Sequence, residues 1–249
     1  MILAEQSWTE IRDLLRGERP LVAILPCGAT EAHGPHLPLN TDVIISEGMA
    51  RRAVPLLEAK GIAALILPPL AYAPADCAAA FPGTLSVSAT AARQVILDIA
   101  SHLKSQGFAC FALANSHFDP ANVSMLREAV EAAKVIGLPI AFPDFTRRKL
   151  AQLLTDEFIS GACHAGQYET SLVMADQPAL VDERIRLNLV DNPSSLVTAF
   201  ANGAKNFADA GGPEAYFGSP AGATAAEGNA SYAIMADILA EEVARALRV

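Results

Sequence analysis

The sequence predicts an α/β fold with a mainly parallel sheet covered by helices. Two observations predict it. Apolar runs of strand length alternate with helical patterns, the signature of parallel strands joined by crossover helices. The 249 residues suit one large domain over residues 1–249, and 52% are apolar, enough to bury a sizeable core.

Ser7-Trp-Thr-Glu10 has the spacing of a capping box and opens a short helix through Leu15. Leu21 to Leu25 reads as a buried strand. A loop rich in Gly and Pro follows, and Thr41 or Asp42 can cap a helix reaching about Leu57. Ile62 to Leu67 is a second strand, closed by Pro68-Pro69, before a long irregular stretch through Asp76 and Phe81-Pro-Gly-Thr84. Ser88 caps an amphipathic helix from Ala89 to Gln106, which Gly107 ends, and Phe108 to Ala114 forms a third strand. Pro120 opens a helix to about Ile136, Leu138 to Phe142 is a fourth strand, and a final helix spans roughly Ala225 to Leu247.

Composition excludes several classes of function. The net charge of −9 argues against nucleic acid, because phosphate binding needs clustered Lys and Arg. The densest basic groups, Arg51-Arg52 and Arg147-Arg148-Lys149, are short and read as solvated helix ends. Pro and charged residues interrupt every apolar run before it reaches membrane-span length, and Met1 to Glu5 carries no basic leader. The cysteines Cys27, Cys77, Cys110 and Cys163 are widely spaced, without a Cys-x-x-Cys pair, and read as reduced and mostly buried. A cytoplasmic protein is expected. Neither Gly-x-Gly-x-x-Gly nor a Walker phosphate loop occurs.

Four of the five histidines lie in polar clusters: His33, His36, His117 and His164. In open parallel sheets ligands bind beyond the carboxyl ends of the strands. The strand Leu21–Leu25 runs into Glu31 and His33, and the strand Phe108–Ala114 runs into Asn115-Ser-His117-Phe-Asp119. In extended chain, residues two apart face the same side, so Glu31 and His33 project together, as do His117 and Asp119. Asp42 follows at a helix start with two oxygens able to bridge two cations. This nitrogen and oxygen mixture suits Zn²⁺ or Mn²⁺ rather than Ca²⁺ or a thiolate site. In His164-Ala-Gly166-Gln-Tyr-Glu169, Gly166 permits close backbone approach and Glu169 can start a helix pointing back at the site.

The segment Leu25-Pro-Cys-Gly28-Ala-Thr30-Glu31-Ala-His33-Gly-Pro-His36-Leu-Pro38, followed by Thr41-Asp42, resembles the N-terminal signature of the creatininase (creatinine amidohydrolase) family. The likeness continues in the same order through Phe81-Pro-Gly-Thr84, Asn115-Ser-His117, His164 to Ser171, Gly218-Ser-Pro220 and Glu227-Gly228. The resemblance implies a three-layer α/β/α sandwich, a homohexamer and two divalent cations per subunit, Zn²⁺ or Mn²⁺ with Fe²⁺ as a further candidate. By that resemblance Glu31 and His117 bind one metal and His33 the other, with Asp42 bridging. Asp119 or Glu169 completes the set or accepts the proton of a water, and His164 transfers a proton. The implied reaction is hydrolysis of a C–N amide bond in a small-molecule amide by a hydroxide held between the metals. A lyase or isomerase on the same scaffold and a non-catalytic binding subunit are the alternatives. Creatininase closes its site with tryptophans in the second half of the chain, whereas the only tryptophan here is Trp8, so creatinine is not the expected substrate.

Overall fold

The apolar runs pair as the alternation predicts. The computed structural model describes residues 1–248. Its first part alternates α1 (Trp8–Leu15), β1 (Leu21–Cys27), α2 (Thr41–Ala59), β2 (Ala63–Ile66), α3 (Ala89–Gln106), β3 (Cys110–Asn115), α4 (Pro120–Ala133) and β4 (Ile140–Ala141). Five shorter helices follow, α5 (Arg148–Ala151), α6 (Asp156–Ser160), α7 (Gln167–Asp176), α8 (Glu183–Arg186) and α9 (Leu196–Ala201), before the long α10 (Ala225–Leu247). The strands form a parallel sheet in the order β2-β1-β3-β4. No helix among the described residues is long and apolar enough to cross a membrane.

Alternation along the strands sorts their side chains onto two faces. Val22, Ile24, Cys110 and Ala112 pack with Ile45 and Met49 of α2, Tyr168 and Leu172 of α7, and Tyr232 and Met235 of α10. Leu21, Ala23, Leu25, Phe111 and Leu113 pack against Ile96 and Leu103 of α3 and Leu126 of α4, with Ile11 and Leu14 of α1 at the margin. Both faces of the central strands are therefore apolar, giving the three-layer α/β/α arrangement. Each fully buried aliphatic or aromatic side chain contributes about 1.5–3 kcal/mol.

The capping box of α1 forms as its sequence predicts, with the Ser7 backbone N–H donating to Glu10 at 2.7 Å. Ser88 caps α3, and Gly107 closes it in the left-handed conformation at φ 94°. Three boundaries differ from expectation. Neither Thr41 nor Asp42 caps α2: Asn40 holds the cap position without a side-chain bond, and Thr41 Oγ1 instead donates to the Pro38 carbonyl at 2.7 Å. The Asp42 carboxylate is thereby free for other partners. α4 ends at Ala133 rather than near Ile136, because the chain turns to Gly137 at φ 72°. β4 shrinks to Ile140–Ala141, flanked by Pro139 and Pro143, which cannot donate to a ladder.

Candidate metal centre

The sheet order reverses direction between β1 and β3, the topological switch point at which a crevice opens beyond the carboxyl ends of the strands. Glu31 and His33 leave β1 there, and His117 leaves β3. Gly28 lets the chain leaving β1 press on the start of α2, since a Cβ at this position would lie 2.7 Å from the Val43 nitrogen and 2.9 Å from the Asp42 Cβ. Ser116 Oγ donates to the Asp42 carbonyl at 2.6 Å, tying β3 to the same turn. The Ala32 N–H donates to Thr84 Oγ1 at 3.0 Å, so the Phe81–Thr84 block props the Glu31–His33 segment from outside.

Two ligand groups converge. Glu31, Asp42 and His117 form one, and His33, Asp42 and Glu169 the other, with the candidate ligand atoms of each group within 4.8 Å of one another. His117 Nδ1 lies 3.2 Å from Glu31 Oε1 and 3.0 Å from Asp42 Oδ2. His33 Nε2 lies 3.3 Å from Asp42 Oδ1 and 3.6 Å from Glu169 Oε2. Asp42 thus presents one oxygen to each group. A third grouping, Glu31, His33 and His164, is looser, with His164 Nδ1 3.9 Å from Glu31 Oε1. Every one of these side chains is buried.

Backbone carbonyls set the rings. His117 Nε2 lies 2.7 Å from the Pro74 carbonyl and His33 Nδ1 3.1 Å from the Glu31 carbonyl. Each contact requires a proton on that nitrogen and turns the other nitrogen toward the carboxylates, where it can hold a second proton or give it up to bind a metal. Asn115 and Asn122 both donate to the His117 carbonyl, at 2.9 and 2.8 Å. The Glu169 carboxylate accepts from the Ala165 N–H at 2.6 Å. Ala165 itself holds φ at 51°, a strained region for a residue with a Cβ.

The electrostatics fit a cation. Three carboxylates share the buried cluster, and among the described residues their ion pairs are all with histidines. Burial alone would push His33 down, but Asp42, Glu169 and Glu31 outweigh it and hold His33 up at about 10. His117 is raised likewise, with Glu31 and Asp42 overcoming its burial. Glu169 is pushed up to about 8, first by burial, against the opposing pull of His33. Glu31 Oε2, Asp42 Oδ2 and His33 Nε2 are buried without a hydrogen-bond partner. Protonated histidines thus balance a surplus of negative charge, while ligand-type atoms stay unsatisfied. Divalent cations would relieve both, so the residues present fit the implied metals.

His164 and Asp119 sit beside the two groups. His164 stacks between His33 and Phe207, each 4.3 Å away centroid to centroid, and its Nε2 lies 2.9 Å from the Ala32 carbonyl. Burial and the neighbouring His33 hold it well below the usual histidine range. Asp119 caps α4, accepting from the Ala121 N–H at 2.8 Å and the Cys77 N–H at 3.2 Å. It faces the cavity without joining a ligand group. Sequence reasoning missed the groups that orient the ligands, namely Thr84, Asn122 and the Pro74 carbonyl. It singled out His36 without giving it a role; His36 is buried with Nε2 2.9 Å from the hydroxyl of Thr170, next to Glu169. The cysteines are free, with Cys27, Cys77 and Cys110 buried as expected and Cys163 partly so.

A cavity of about 600 Å³ opens from the ligand groups to the surface, and most of its wall is apolar. Fold and site together define an α/β protein with paired groups of divalent-cation ligands at its switch point. The model of the creatininase family (creatinine amidohydrolase) matches residues 4–243. The mycofactocin precursor peptide peptidase of Mycolicibacterium smegmatis (strain ATCC 700084 / mc(2)155) is 30% identical over 234 residues, covering 91% of this chain and 85% of that protein. The creatinine amidohydrolase of Pseudomonas putida is 30% identical over 214 residues, covering 78% and 77% respectively. A solved structure described as "Creatininase Mn" superposes with a TM-score of 0.77 at 24% identity, over 98% of this chain and 97% of that one, and shows the shared fold. The chain belongs to the creatininase family of amidohydrolases.

Proposed function

We propose that the chain is a two-metal amidohydrolase. Glu31, Asp42 and His117 would hold one divalent cation and His33, Asp42 and Glu169 the other, with Asp42 common to both groups. The observation that carries this reading is the pair of buried ligand groups sharing Asp42, with ligand atoms left unsatisfied. Their nitrogen and oxygen donors suit Zn²⁺, Mn²⁺ or Fe²⁺. Bound there, two such cations supply a water acidified to near neutrality and polarise the substrate carbonyl.

The chain's own residues do the rest. Glu169 converges with His33 and Asp42, which favours it over Asp119 as the remaining ligand. Asp119, at the cavity wall, accepts the proton of the attacking water, because each of its oxygens keeps a lone pair beyond its backbone bond. His164, held neutral with its proton on Nε2, relays through Nδ1, the nitrogen that its bond to Ala32 leaves free: it takes up the proton that the attacking water gives to Asp119 and passes it to the departing nitrogen. An amide nitrogen leaves poorly without that proton.

The bond cleaved is the C–N bond of a cyclic amide, a formamide or a short peptide-like amide. Trp8 is 75% exposed on α1, and no tryptophan lines the cavity, which supports a substrate other than creatinine. Metal analysis of the purified protein is the first test, with an expected content near two divalent cations per chain. Hydrolysis of an amide panel in isotopically labelled water is the second, since only hydrolysis must place solvent oxygen in a product. A metal-free protein that turned over amides at full rate would overturn the scheme. The homohexamer implied by the family is checked by light scattering, with six monomer masses expected.

A further inference from the structure

The cavity has a mostly apolar wall that includes the buried ligand groups and one exposed arginine. Glu31, Asp42, Asp119 and Glu169 gather at the inner end. Phe118, Phe145, Phe158, Phe200 and Phe207 contribute to the walls. The volume of about 600 Å³ suits a ligand of substantial size and leaves far more room than a small cyclic amide fills. Arg148 is the one Lys or Arg among the lining residues, and it is exposed.

Arg148 is also unpartnered, whereas the nearby Arg127 and Arg147 are not. Asp144 takes Arg127 at 2.8 Å and Arg147 at 3.0 Å, which uses up the nearby carboxylate. Among the described residues Arg148 makes no ion pair and no side-chain hydrogen bond. Other Lys and Arg are also without an ion pair among the described residues, but Arg148 alone of them lines the cavity, and that position is what is informative. A guanidinium presents a planar fork matched to a carboxylate, and an aromatic wall takes up large apolar groups.

Resting on the amidohydrolase reading, we propose that Arg148 selects the substrate: a peptide-like amide that carries a large apolar group and ends in a free carboxylate. The scissile amide lies at the ligand groups, the apolar group lies along the phenylalanines, and the carboxylate pairs with Arg148. The competing view makes Arg148 one more solvated cation at a helix start.

The test uses the full-length, Mn²⁺-loaded protein and two kinds of probe. The first compares binding of 3-phenylpropionate with that of its neutral analogue 3-phenylpropionamide by calorimetry, in the parent protein and in Arg148→Gln. The acid is expected to bind about tenfold more tightly, a modest factor because the arginine is exposed, and Arg148→Gln is expected to erase the difference. Equal affinity for acid and amide in the parent overturns the proposal. So does a preference that survives Arg148→Gln, since the carboxylate would then be sitting on the metals. The second kind comprises N-acyl dipeptides with a C-terminal aromatic residue, each as free acid and as carboxamide. Arg148→Gln is expected to lower kcat/KM for the acids about tenfold and to leave the carboxamides unchanged. Failure to hydrolyse any member, with the Arg148-dependent binding intact, would count against the amidohydrolase reading alone. Hydrolysis of both forms with no acid preference would count against Arg148 alone.

Discussion

Asp42 gives one carboxylate oxygen to each ligand group, so neither group is complete without it. Asp42→Asn is expected to lose both cations and activity while the chain stays folded, because removing one buried negative charge relieves repulsion among the carboxylates. Retention of both cations by that variant, measured by elemental analysis, would show that Asp42 does not bridge. His164→Ala should keep its metal but turn over about 10²–10⁴-fold more slowly, the usual range for a lost proton-transfer group. Unchanged turnover would remove His164 from the mechanism. Asp119→Asn separates two roles of one side chain. The amide oxygen still caps α4 but the amide nitrogen cannot accept from the Cys77 N–H, so stability should fall by about 1–3 kcal/mol, while the rate should fall sharply. At this scale the sequence was informative about residue types: a carboxylate and imidazoles placed just after apolar strands. It left two jobs open for Asp42, helix cap and site residue, because a helix start with an acidic residue looks the same whether the carboxylate caps the helix or faces a site.

The elements that carry these residues are held by close backbone approaches that local propensity does not reveal. Gly228 lies inside α10, where helix propensity alone predicts that alanine would add about 1 kcal/mol of stability. A Cβ there would run into the backbone carbonyl of Ser171 on α7, the helix that carries Glu169. Gly228→Ala is therefore expected to destabilise by about 1–3 kcal/mol, read from the midpoint of urea unfolding. A higher midpoint would show that α7 and α10 can move apart freely. Helices α1, α3 and α10 were legible almost to the residue, because each has a capping side chain and a repeating apolar face. β4 was not, because the two prolines around it cut the ladder to two residues.

For the whole molecule, a buried cluster with surplus negative charge should depend on its cations for stability. Chelation is expected to lower Tm, and added Mn²⁺ or Zn²⁺ to restore it. One site held at a hundredfold excess over Kd contributes about 2.7 kcal/mol. Equal Tm values with and without chelator, in protein carrying its full metal content, would contradict this coupling. The sequence by itself determined the alternation of strands and helices, the class of fold and the donor atoms available, since each is written in short-range pattern and residue type. Only the tertiary structure decided which histidine faces which carboxylate, which ring nitrogen is left free, and which segments wall the cavity. Those depend on β1 and β3 lying side by side at the switch point and on α7 being pressed against α10, contacts between residues far apart in the chain. Local pattern specifies the elements; the packing between them turns the separate Glu31, Asp42, His117, His33 and Glu169 into two groups that share the Asp42 carboxylate.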